Sequence, residues 1–219
     1  MGREIKLSTQ GTQCIGGWLC DPAGKAKGGV VVVQEIFGVN AHIREVTQRF
    51  ADAGYTAIAP AFFDHLESGV ELDYDEAGIE RGRQLAGELD MAQSVADVGS
   101  AAQSIASAGR IAVVGYCWGG TVAFVSGLRL KMPAISFYGS RNVQYMDEPA
   151  TAPQQFHFGE RDQSIPAEAI ERHRQAYPDA EIYTYAADHG FNCDRRGSYD
   201  EEASKMSWQL VLDFLSRHL

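Results

Sequence analysis

Four consecutive valines, Val30 to Val33, sit inside a run from Gly29 to Glu35 that shows no alternation of apolar and polar residues. A strand can be apolar position after position only where both of its faces are covered, as in the middle of a parallel sheet. Parallel neighbours need crossovers, and helical spacing supplies them. Ala41 to Ala53 carries Ile43, Val46, Phe50 and Ala53 on one side, and Gly54 stops it. A strand at Tyr55 to Ala59 follows and Pro60 ends it. Helical patterning returns over 76–89 and 91–108, with Gly109 as the stop. Then come a strand at 110–115, a helix at 118–130, strands at 133–138 and 154–159, a helix at 166–176, a strand at 181–186 and a closing helix at 200–218. Residues 3–20 read as two short strands around Thr9-Gln10-Gly11-Thr12, and 61–75 and 140–153 as irregular connections. The alternation predicts an α/β chain with a mostly parallel central sheet flanked by helices on both faces. No repeat or linker interrupts it, so residues 1–219 are expected to form a single domain.

Charge narrows the partners. The formal net charge is -10, which disfavours a phosphate backbone, so no nucleic acid is expected. No apolar stretch approaches the length that spans a membrane, and MGREIKLSTQ is charged without a following apolar run, so neither a membrane segment nor a signal peptide is expected. The four cysteines, Cys14, Cys20, Cys117 and Cys193, make no CxxC pair and no zinc-like spacing with histidines. Reduced thiols in a cytoplasm, no metal and no cofactor are the expectation. The chain is expected to be a monomer or a small homo-oligomer.

The most specific stretch is Val113-Val114-Gly115-Tyr116-Cys117-Trp118-Gly119-Gly120. It reads as strand, tight turn and helix start, and the turn is G-x-C-x-G, the nucleophile-elbow pattern of α/β-hydrolases with sulfur in place of oxygen. A nucleophile in so sharp a turn needs small neighbours, and Gly115 and Gly119 provide them. Cys117 is thereby expected above the sheet at a helix N-terminus, whose dipole favours a thiolate. Partners in this fold follow in the order nucleophile, acid, histidine. Asp162 lies just past the strand at 154–159, with Glu160 and Asp188 as less well placed rivals. His189 follows the last strand and is the expected base. His157 lies within a strand and reads as structural, while His42, His65, His173 and His218 read as solvated surface residues. The loop after the valine strand should supply one oxyanion donor and the residue after the nucleophile another, which points to the amides of Ile36 and Trp118. Glu35 is either a surface carboxylate or a group that controls the thiol proton.

Together these residues resemble the dienelactone hydrolase (carboxymethylenebutenolidase) family over nearly the whole chain. The likeness rests on V-V-V-Q-E-I-F-G at 31–38, G-Y-C-W-G-G at 115–120, G-E-R-D at 159–162 with Ile165-Pro166, and D-H-G-F at 188–191. The resemblance implies a catalytic set of Cys117, Asp162 and His189, and a Glu35 that holds the resting thiol and helps form the thiolate. It also implies small-molecule substrates, enol lactones or activated esters, often carrying a carboxylate. Family members that prefer dienelactone carry an arginine four residues after the histidine, where this chain has Cys193. Arg195, Arg196, Arg83 and above all Arg81 are the replacement anion contacts on offer, and Tyr138, Phe191 and Trp118 are expected to line the pocket. The reading is thus a hydrolase that works through a thioester. The alternatives are a non-catalytic small-molecule sensor and a redox-active thiol protein with Cys193 as resolving partner.

Overall fold

The computed structural model describes residues 2–9 and 14–219. The valine run forms β3 (Gly29–Val33), with all five residues buried. It pairs in parallel with β4 (Thr56–Pro60) on one side and β5 (Ile111–Tyr116) on the other. Beyond β5 lie β6 (Ala134–Phe137), β7 (Gln154–Gly159) and β8 (Glu181–Tyr185), all parallel. On the opposite edge, β2 (Cys14–Cys20) runs antiparallel to β4, and β1 (Arg3–Ser8) antiparallel to β2. The eight-stranded sheet has the order β1-β2-β4-β3-β5-β6-β7-β8. The turn expected around Thr9–Thr12 falls, from Gln10 onward, outside the described residues.

The described residues form six α-helices, α1 (Ala41–Asp52), α2 (Glu76–Glu88), α3 (Met91–Ser104), α4 (Trp118–Leu130), α5 (Ala167–Ala176) and α6 (Glu201–His218). The period of a strand explains how they cover both faces. Val30 and Val32 pack with Ile43, Val46 and Phe50 of α1 and with Val211 and Phe214 of α6. Val31 and Val33 point the other way, to Val98 and Ala101 of α3. Helix starts are capped as the sequence allows: Asn40 accepts from the Ile43 N–H, Asp75 from Gly78, Asp90 from Gln93 and Asp200 from Ala203. The helix expected over 91–108 is shorter. It stops at Ser104, Ile105 turns into the core, and a 3-10 turn leads to Gly109, whose φ of +112° closes the segment.

Two histidines expected on the surface are inside. His42 and His173 are both buried. His173 belongs to the apolar stripe of α5, where Ile170 and Tyr177 flank it at helical spacing, and its Nδ1–H donates to the Ala169 carbonyl. His42 is covered by Tyr74 and Asp194, which the chain brings from far away in sequence. His65 is half-buried against Asp97, with 2.7 Å between Nε2 and Oδ2. No described helix is long and apolar enough to cross a membrane.

Candidate active site

β5 runs into α4 through a single residue, Cys117, whose backbone sits at φ 56°, ψ -118°. A non-glycine residue at positive φ is strained, and the strain is held by packing on both sides. A Cβ on Gly115 would lie 1.9 Å from the Gly119 carbonyl oxygen, and one on Gly119 would lie 2.2 Å from that of Gln34. No side chain fits either gap, which is the physical content of the G-x-C-x-G spacing. Trp118 is the first residue of α4, so its N–H has no acceptor within the helix.

His189 arrives from the loop after β8 and joins the thiol to an acid. Its Nε2 stands 3.1 Å from Cys117 Sγ, and its Nδ1–H donates to Asp162 Oδ2 at 2.6 Å. Asp162 is fixed in turn, because the Ser164 N–H donates to Oδ1 at 2.8 Å. The rival acids are engaged elsewhere. Glu160 accepts from the Thr184 hydroxyl, and Asp188 faces Arg161. Burial by itself would lower the His189 pKa. The hydrogen bonds to Asp162 and Cys117 and the charges on both outweigh it and push the imidazole up to about 10.

Beside this chain of groups is a cavity of about 250 Å³. Ile36 and Trp118, whose amides are the expected oxyanion donors, line it together with Cys117 and His189. α2 approaches the Ile36 loop so closely that a Cβ on Gly82 would lie 2.1 Å from the Ile36 carbonyl oxygen, so the helix fixes that loop. Two cavities of about 660 Å³ lie elsewhere, one beside β2 and one beside β8, and neither touches Cys117 or His189. The smaller cavity is the candidate site, because it alone of the three holds a nucleophile next to a base.

The expected substrate contacts fare unevenly. Arg81 does not reach the cavity: it is turned to Glu67 and Gln84 on the outside of α2. Arg83 does, sharing a helix face with Ile79 and Ala86. Tyr138 and Phe191 are fully buried and stand behind the histidine instead of lining the cavity. The Tyr138 ring meets the His189 ring edge-on at 5.0 Å and Phe191 at 5.4 Å. Tyr138 packs against the imidazole, and Phe191 backs Tyr138. Ser140, Arg141 and Ser164 line the cavity without any signal in the sequence, since all three come from connecting loops.

Glu35 is not a surface carboxylate, being only 1% exposed. Its Oε1 accepts from Arg196 Nη1 at 3.1 Å, and Arg196 continues to the cavity wall. Arg196 therefore occupies the neighbourhood where position 193 offers only a buried thiol, whose pKa desolvation pushes up to about 12. All four cysteines are free.

The model of a family described as "Dienelactone hydrolase family" matches residues 15–219. A Synechocystis protein with the provisional name carboxymethylenebutenolidase is 35% identical, over 98% of this chain and 96% of the relative. Carboxymethylenebutenolidase 1 of Cupriavidus pinatubonensis is 29% identical, over 97% of this chain and 95% of its own. The crystal structure of a provisionally named dienelactone hydrolase from Klebsiella pneumoniae superposes with a TM-score of 0.86 at 32% identity, covering 99% of this chain and 98% of that one.

Proposed function

The chain belongs to the dienelactone hydrolase family and is a lactone or ester hydrolase, and on that premise we propose that it works through a thioester on Cys117. The observation that carries this reading is the unbroken line Cys117 Sγ, His189, Asp162, with contacts of 3.1 and 2.6 Å, opening onto the cavity. His189 takes the thiol proton while Asp162 fixes its tautomer and stabilises the imidazolium. The thiolate attacks the substrate carbonyl. Negative charge moves to the carbonyl oxygen, and the Ile36 and Trp118 amides with the α4 dipole stabilise it there. The C–O bond breaks and the enolate or aryloxide leaves with little need of a proton. Water, deprotonated by His189, then hydrolyses the thioester and restores the thiol.

The substrate is a small enol lactone or activated ester bearing an anionic group. Arg83, Arg141 and Arg196 all line the cavity although the chain as a whole is acidic, so the local field favours a carboxylate. Glu35 tunes this field through its pair with Arg196 and stands one residue before Ile36.

The test is hydrolysis of a panel of enol lactones and aryl esters, with and without a carboxylate, by wild type and Cys117→Ala. Intact-mass analysis after rapid acid quench should find one acyl group on the wild type and none on the variant. Retained turnover in Cys117→Ala would sink the proposal.

A further inference from the structure

Beside the active site lies a second group of buried donors. One donor atom each from Glu35, His42 and Cys193 lies within 4.8 Å of the other two, and all three residues are buried. Two of these side chains have a polar atom without any partner. Glu35 Oε1 is held by Arg196 but Oε2 is orphaned, and His42 Nδ1 is held by Asp194 at 3.1 Å but Nε2 is orphaned. Buried polar atoms left unpaired cost about 1–3 kcal/mol each, so a pair of them in one spot calls for an occupant.

We propose that Glu35, His42 and Cys193 form a binding site for a borderline-soft divalent cation of the zinc class. The donor set of one carboxylate oxygen, one imidazole nitrogen and one sulfur suits such an ion, whereas magnesium and calcium prefer oxygen alone. Tetrahedral zinc with bonds of about 2.0–2.3 Å sets its ligands roughly 3.3–3.8 Å apart, so small side-chain shifts close the set. Two of the ligands, His42 and Glu35, have support behind them. Asp194 accepts from His42 Nδ1–H and so leaves the Nε2 lone pair free to ligate, the usual carboxylate-histidine-metal arrangement. Arg196 orients Glu35, and Asn40 Nδ2 donates to the hydroxyl of Tyr74, which covers His42. On binding, Cys193 releases its thiol proton to solvent and the thiolate takes the cation. A fourth position remains for water. The sequence concealed the site because its residues fall on three segments, at 35, 42 and 193, with none of the spacing of a zinc motif. A cation held here would pin Glu35 beside Ile36.

Cobalt(II) titration of the full chain tests this without substrate, so the result is independent of whether Cys117 is the nucleophile. The expected result is a sulfur-to-cobalt charge-transfer band that saturates at one equivalent and that zinc abolishes by competition. The band persists in Cys117→Ala, disappears in Cys193→Ser, and in His42→Gln needs at least about tenfold more cobalt. No band in wild type would overturn the proposal and leave a buried water as the partner of the orphaned atoms. A band lost in Cys117→Ala but kept in Cys193→Ser would overturn it too, by moving the metal to the Cys117–His189 pair. If Cys193→Ser does not fold, the wild-type, Cys117→Ala and His42→Gln titrations still decide.

Discussion

His157 lies within β7 and His189 on the loop that follows β8, and their pKa values move in opposite directions. His157 stands inside β7, fully buried, between the Tyr185 hydroxyl at 2.7 Å and the Gln155 side-chain carbonyl at 2.9 Å. Both partners are neutral, and desolvation pulls its pKa down to about 3. His189 is also largely buried, and desolvation acts on it in the same direction. Its partners, though, are a carboxylate and a thiol, and they carry it up to about 10. The residue type and the degree of burial are similar. The charge of the partner decides which imidazole holds a proton at neutral pH and which stays neutral as a packing element. Position along the strand explains the partners: at the level of His157 the ladder offers only the neutral Tyr185 and Gln155 side chains, while the loops beyond the strand ends present Asp162 and His189 to Cys117.

The sharpest way to break this comparison is to substitute both histidines. His189→Gln should lower turnover about 10²–10⁴-fold with a nearly unchanged thermal melt. His157→Leu should do the reverse, leaving turnover within about twofold and costing about 1–3 kcal/mol, because the Tyr185 hydroxyl and Gln155 carbonyl lose their partner. Steady-state kinetics on an aryl ester and chemical denaturation give both readings. A His157 variant that loses turnover without losing stability would erase the distinction. Next in size is Asp162→Asn, which removes the charge but keeps the shape. A turnover loss of roughly 10²-fold or more is expected, since the amide no longer fixes the tautomer. The His189 pKa, followed by imidazole NMR, should fall with it. An unmoved pKa would mean that the acid assignment is wrong.

The smaller expected effect belongs to Glu35. Glu35→Gln keeps a hydrogen-bond acceptor for Arg196 but leaves that arginine without its charge partner. Turnover should fall about tenfold, and the pH profile of Cys117 alkylation should shift. Unchanged values of both would confine Glu35 to a structural role.

These contrasts also mark what the sequence could and could not convey. The elbow was legible because its chemistry is local: the residues that forbid a side chain, Gly115 and Gly119, stand two positions from Cys117. The parallel sheet was legible because burial on both faces demands the valine run itself. His189 and Asp162 were legible from chain order relative to the strands. Contacts made by loops far apart in sequence were not. His42 gains its cover from Asp194, and Glu35 its partner from Arg196, across more than half the chain. The choice of Arg81 over Arg83 failed for a different reason. Ile79, Arg83 and Ala86 share one face of α2 at helical spacing, but nothing in that spacing says which face looks toward Cys117.

The finest difference between the two histidines is in the sign of a pH slope. The His189 pKa is raised from its ordinary 6.5 to about 10, so below pH 6.5 both states carry the proton and its stabilisation is fully present. As pH rises towards 10 the unfolded chain gives up a proton that the folded protein keeps, and the stabilisation is lost. His157 is lowered from 6.5 to about 3, and His173, for the same reason of burial, to about 4. Their contribution is present above pH 6.5. It declines as pH falls, because the unfolded chain takes up protons that the folded protein refuses. Between pH 6 and 5 each of these two should remove about 1 kcal/mol, while His189 removes nothing. Urea denaturation at closely spaced pH values checks this. The acid slope should flatten by about one proton in His157→Leu and stay unchanged in His189→Gln. Above pH 7 the pattern should exchange, with the falling stability flattened in His189→Gln and untouched in His157→Leu. An acid slope that flattens equally in both variants would show that His189 is held as a neutral imidazole like His157, and would remove the charged partner from the account of the site.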